Sequence, residues 1–175
     1  MKPVDLAKKL RRDAAFDPGA LDRGKAALMA AIQQETQPRR RPAIVPQLPY
    51  EDIRAALAFL ESAFGFREVP TSRTVSANGV ILHSYVEFGD SMIGIGSQGA
   101  HGARSPMSGG GASQYISVYI DDIDAHYERA LAAGARVDRG PHTHARDYRA
   151  YEALDLEGHR WRFVEWLREV PQRMS

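Results

Sequence analysis

The chain contains no cysteine. That excludes disulfides, zinc–thiolate sites, iron–sulfur clusters and cysteine nucleophiles together. It also lacks an excess of charge of either sign: 23 Lys and Arg stand against 22 Asp and Glu, a formal net of +1. Such a balance gives no reason to expect nucleic acid or a membrane surface as the main partner. No apolar run approaches the roughly 18 residues that a bilayer-spanning helix needs. The N-terminus is basic without a signal-type apolar stretch, so a cytoplasmic location is the expectation. Gly109, Gly110 and Gly111 have no following Lys-Ser/Thr, so a phosphate loop is not supported. What remains is ordinary: 175 residues, 43% apolar and 26% charged, enough for one domain and an appendage.

The first forty residues read differently from the rest. "LAKKLRR" suggests a short helix. A second runs through "DPGALDRGKAALMAAIQQE", with Asp17 as N-cap, Pro18 at the first helical position, and Leu21, Leu28 and Ile32 on one face. "TQPRRRP" then ends it. Residues 1–41 are expected to form a helical extension and linker, and residues 42–170 the main domain.

From residue 42 a pattern appears twice. "AIVPQLPYEDIRAALAFLESAFGFREV" is a strand, a turn, a helix with Ile53, Leu57, Leu60 and Phe64 at helical spacing, a Gly65 cap and a second strand. "QYISVYIDDIDAHYERALAAGARV" repeats this about seventy residues on, with Asp122 where Asp52 stood and Gly134 where Gly65 stood. Each copy continues into two strands, broken at Gly89-Asp90 in the first and at Glu157-Gly158 in the second. Internal duplication therefore predicts an α+β fold of two βαβββ modules, at about 43–96 and 114–166. They should form a curved mixed sheet around a cleft, its outer helices turning Leu57, Phe64 and Leu131 inward. Residues 97–113, rich in Gly and Ser, read as a linker or a mobile cover.

Strand parity then separates two faces. Leu82, Val86 and Phe88 oppose His83, Tyr85 and Glu87. Ile116, Val118 and Ile120 oppose Tyr115, Ser117 and Tyr119. Trp161 and Phe163 oppose Arg160 and Arg162. The second faces carry tyrosine, histidine and paired ionisable groups rather than a lysine- and glutamate-rich solvated surface, which suits a ligand cleft. A sheet face that packs a dimer partner fits the same pattern. His142 and His144 in "PHTHARD", with His83, could present imidazoles to a metal, but the flanking proline and charges favour a surface loop. Asp121 and Asp122 lie at a helix start, where capping explains them.

The doubled pattern, with "PYEDIRAALAFLESAFGF", "LHSYVEFGDSMIGIG", "VYIDDIDAHYERALAAGARV" and "DLEGHRWRFVE", resembles the vicinal oxygen chelate superfamily of glyoxalases, bleomycin-resistance proteins and extradiol dioxygenases. The match covers about residues 43–166 and is nearest the PhnB-type and bleomycin-resistance-like branch. Metal-dependent members hold a divalent ion on the first and last strands of each module. Carried over position by position, the resemblance assigns those places to Val45, Ile93, Tyr115 and Arg162. A one-residue change of register would bring Gln47 or Glu165 closer. Valine, isoleucine, tyrosine and arginine are no ligand set for Mg²⁺, Zn²⁺ or Fe²⁺, and a guanidinium repels a cation.

The resemblance thus implies a metal-free, cofactor-free binding protein, acting by sequestration and paired as a homodimer. Its aromatic or anionic small molecule would lie among His83, Tyr85, Glu87, Tyr115, Tyr119 and Arg162. The alternative is a glyoxalase- or dioxygenase-type enzyme, working through an unrecognised metal site or through His83 and Glu87 as acid and base. A third reading makes the N-terminal arm the functional part, a partner-binding element beside a vestigial cleft.

Overall fold

Asp52 and Asp122 mark the two points where strand turns into helix. Each sits in extended backbone and accepts the amide N–H three residues on, from Ala55 and Ala125 respectively, at 3.0 Å. The helices that follow are α1 (Ile53–Phe64) and α2 (Ile123–Ala132). Gly65 ends α1 with φ of 75°, a left-handed conformation that favours glycine. The computed structural model describes Lys25, residues 42–144 and residues 147–167. The helices expected within residues 1–41, and the domain end at 170, lie outside the described residues.

The strands confirm the repeat. In the first module β1 (Gln47–Tyr50) pairs parallel with β4 (Ser91–Ser97), followed by β3 (Ile81–Phe88) and β2 (Arg67–Val75), both antiparallel. In the second, β5 (Tyr115–Tyr119) pairs parallel with β8 (Arg160–Trp166), followed by β7 (Tyr148–Leu154) and β6 (Arg136–His144). The orders β1-β4-β3-β2 and β5-β8-β7-β6 are the same arrangement twice. The eight strands form two four-stranded sheets rather than one continuous sheet.

One apolar core serves both modules. Leu48, Tyr50, Phe64, Val86 and Ile95 of the first pack in the same cluster as Ile123, Tyr151, Trp161 and Phe163 of the second. Phe64 at the end of α1 lies 4.8 Å from the Phe163 ring and 5.6 Å from Trp161. Leu57 and Phe64 do point inward. Leu131 does not: it is exposed, because the inward stripe of α2 runs through Ile123, His126 and Ala130, and Leu131 is rotated off it by about 100°. Leu82 is also exposed, at the far end of its strand.

The polar side chains of the β7–β8 turn join the modules. Glu157 accepts the backbone N–H groups of Glu51 and Asp52 at 2.8 and 2.9 Å, placing a carboxylate at the start of α1. Asp155 accepts the Tyr50 hydroxyl at 2.5 Å and the Trp161 indole N–H at 3.0 Å through one oxygen, and two turn amides through the other. His159 Nε2 donates to the Pro49 carbonyl at 2.9 Å. All three are buried. A second strut is His126, whose Nε2 donates to Phe64 O at 3.1 Å while Nδ1 accepts the Tyr151 hydroxyl at 2.6 Å.

Residues 97–113 carry a 3-10 turn (Ala100–Gly102) and one helical turn (Pro106–Gly109). Pro106 and Met107 border a groove with Leu154–Gly158, so this part of the segment lies beside the β7–β8 turn. Among the described residues no helix is long and apolar enough to cross a membrane.

Three substitutions test these contacts. Glu157→Ala leaves two backbone donors and a helix start without their acceptor, and should lower unfolding free energy by about 2 kcal/mol in urea titration; Trp161→Ala should cost more, about 3–5 kcal/mol. His126 is the pH-sensitive strut: burial lowers its pKa to about 4. The folded state keeps it neutral where the unfolded chain takes up a proton, so its contribution is present above pH 6.5 and is lost as pH falls toward 4. Its full size is at most about 3 kcal/mol. His126→Gln should flatten the stability slope between pH 6.5 and 4; an unchanged slope would show that other groups set it.

Candidate functional site

Each sheet turns one face to the helices and leaves the other open. On the first sheet the open face carries His83, Tyr85 and Glu87, as strand alternation requires, and Gln47, Gly94 and Gly96 beside them. His83 Nε2 lies 3.2 Å from Gln47 Oε1, and its ring meets Tyr85 edge-on at 4.6 Å. Burial holds His83 below the ordinary imidazole range. Glu87 accepts Arg67 Nε at 2.8 Å. His83 and Glu87 are four residues apart on one strand, roughly 13 Å along it, too far to pass a proton directly between them.

The second sheet holds the denser constellation. Arg162 projects from β8 opposite Ser117 on β5 and Glu152 on β7. Its Nη2 donates to His144 Nε2 and to the Tyr148 hydroxyl, each at 3.2 Å, and the guanidinium carbon lies 5.5 Å from the Tyr148 ring centre. His144 stacks on Tyr148 at 4.9 Å and contacts His142 at 4.3 Å. Burial first, then His142 and the Arg162 and Arg139 guanidiniums, hold His144 below the usual imidazole range; Glu152 acts the other way. A neutral ring is what the bond from Arg162 requires, since Nε2 must accept. Trp166 meets Tyr148 edge-on at 5.5 Å and stacks within 5° of parallel on exposed Tyr119 at 5.9 Å. Fully buried Ala150, between the His142 and Val164 rows, leaves room above it for these larger groups.

The six residues singled out by sequence are therefore divided, His83, Tyr85 and Glu87 on one sheet and Tyr115, Tyr119 and Arg162 on the other. Arg162 and Tyr115 share a cleft of about 190 Å³ with Glu152 and Arg160. A larger apolar cavity of about 430 Å³ lies between the start of β4 and β5, among Phe66, Phe88, Ile93, Ile116 and Tyr119. The "PHTHARD" reading needs correction: His142 and His144 lie in strand β6, not in a surface loop, and Pro141 is tolerated because β6 is an edge strand. They join Arg162 rather than His83. Sequence reasoning missed Tyr148, Glu152 and Trp166, and weighed His144 only as a metal ligand with His83, although the His-Thr-His alternation was a signal for a strand face.

Strand pairing also resets the metal-position register. Ile93 faces the core at 6% exposure, and the open-face residue is Gly94, opposite Gln47. A Cβ at Gly94 would overlap the Gln47 carboxamide, which fills that space. Val45 precedes β1. Glu165 lies on the opposite face from Arg162, 3.7 Å from Arg149. The set at these positions, a carboxamide with a glycine and a serine with a guanidinium, does not fit a divalent cation. Among the described residues no three His, Asp or Glu gather as a metal cluster.

Known proteins share this architecture. An uncharacterized protein of Mycobacterium bovis is 29% identical over 133 residues, covering 74% of this chain and 86% of its own length. A Mycobacterium tuberculosis relative, also uncharacterized, matches at the same identity over 77% of its length. The crystal structure of TioX from Micromonospora sp. ML1 superposes with a TM-score of 0.56 at 29% identity, over 73% of this chain and 98% of that one. A glyoxalase/bleomycin resistance protein/dioxygenase family enzyme from Burkholderia phytofirmans PsJN, at 23% identity, shares the fold with a TM-score of 0.57 over 69% and 95% of the two chains. A sequence profile matches residues 43–163, both modules together, and the chain accordingly belongs to the Glyoxalase/Bleomycin resistance protein/Dioxygenase superfamily.

Proposed function

We propose that the protein binds a small aromatic or anionic molecule without a metal, on the open face of its second sheet, and protects by sequestration rather than by catalysis. The observation that carries this reading is Arg162: it stands opposite Ser117 on the last strand of its module, with its buried Nε lacking a hydrogen-bond partner. A fixed cation at that place recruits an oxyanion or strong acceptor, where a metal site would need a carboxylate. Tyr115 and Tyr119, both exposed, and the Tyr119–Trp166 stack supply flat apolar surface for a ring. His83, Tyr85 and Glu87 line the first sheet's open face and would extend the contact surface. An acid–base role for His83 and Glu87 gains nothing from their separation and their existing partners Gln47 and Arg67. A homodimer belongs to the same proposal; a strict monomer in light scattering at micromolar concentration removes that part.

Arg162→Met keeps much of the stem and removes the charge. Affinity for aromatic acids found by thermal-shift screening should fall roughly 10- to 150-fold, with melting temperature little changed; equal affinity would leave Arg162 a structural cation held by His144 and Tyr148, not a ligand anchor. Elemental analysis after dialysis should find no stoichiometric divalent metal, and about one Zn, Ni, Mn or Fe per chain would overturn the metal-free reading.

A further inference from the structure

Arg162 uses its guanidinium unevenly. The edge made by Nε and Nη2 is the fork that grips a carboxylate with two parallel bonds. Nη2 is held by two neutral acceptors at 3.2 Å, and Nε, sealed from solvent, donates to none. Glu152 Oε1 faces Nε at 4.0 Å, an ion-pair distance beyond hydrogen-bond reach, and the Glu152 side chain is 39% exposed. The two are directly opposed across β7 and β8, and the cleft walled by Tyr115 and Arg160 passes both. On the other side of Glu152, across β6, stands Arg139. A charged donor left unpaired in a buried place is a costly state, and it persists here beside a carboxylate about an ångström too far away to relieve it.

We infer that Glu152 is a displaceable internal counter-ion for Arg162. This rests on Arg162 being the ligand anchor. In the free protein Glu152 balances the guanidinium without bonding it. A ligand carboxylate entering the cleft bonds the unpaired Nε as Glu152 turns away toward solvent and Arg139, and completes the fork at Nη2 by replacing the Tyr148 hydroxyl or His144 as acceptor. Glu152 then sets specificity: a neutral ligand leaves it in place, a monoanion displaces it, and a second negative charge on the ligand meets it as repulsion.

Benzoate and benzamide, equal in shape and different in charge, are suitable probes for NMR titration of wild type, Glu152→Gln and Arg162→Met. Glu152→Gln should bind benzoate about 5- to 20-fold more tightly than wild type, the effect of removing one partly exposed like charge a few ångströms away. Benzamide affinity should not change. Glu152→Ala should repeat the gain, which separates loss of charge from an effect of the new amide. If benzoate binds Glu152→Gln no more tightly than wild type while Arg162→Met loses it, the counter-ion role is wrong and the anchor stands. If Arg162→Met retains benzoate, the anchor itself is wrong. Failure of benzoate to bind wild type and Glu152→Gln at millimolar concentration overturns the inference as well.

Discussion

Glu157 ties the fold together with a carboxylate supplied by one module to the helix of the other. A helix start exposes backbone donors that need acceptors, and α1 satisfies two flanking amides from a turn more than a hundred residues away in sequence. Asp155 and His159 on the same turn fix Tyr50 and Pro49. Docking the turn sets where β8 leaves it, and β8 presents Trp161 to the shared core and Arg162 to the open face. Packing and candidate site are therefore two outputs of one polar contact. Such a contact is costly to bury half-made. Here each carboxylate of the turn is matched by at least two donors.

Much of the architecture was legible because it obeys short periods. Asp52 and Asp122 read as caps, Gly65 as a helix end, and Trp161/Phe163 against Arg160/Arg162 as two strand faces; each depends on neighbours in sequence, and each holds. Leu131 failed because a ten-residue helix with mixed polarity leaves the inward stripe ambiguous by one position. The roles of Asp155, Glu157 and His159 were hidden for a different reason: their partners are the chain's other half, and no local pattern encodes them. His144 and Tyr148 likewise meet Arg162 only once β6, β7 and β8 are in register. Ile93 instead of Gly94 was a one-residue slip, which in a strand exchanges one face for the other.

The duplicated modules have diverged at their equivalent positions. In the first, glycine on β4 leaves a space and Gln47 occupies it, held by His83. In the second, serine on β5 stands back and arginine occupies the space, held by His144 and Tyr148. One site closes on itself with a neutral amide, and the other keeps a fixed cation with an uncommitted donor. The chain has no lysine after Lys25, so every permanent cation of the two modules is a guanidinium. Planar, forked donors suit shaped acceptors better than a mobile ammonium does.

The same turn has a consequence for how the chain can be divided. A tandem repeat suggests two interchangeable halves, each able to stand alone. Cut between β4 and β5, the N-terminal half would keep Tyr50 and the start of α1 but lose the carboxylates that complete them. The C-terminal half would keep Trp161 and Phe163 but lose the Phe64 and Phe66 rings that cover them. Neither fragment inherits a finished core. Duplication has here produced one indivisible unit, in which each half serves as the other's missing layer.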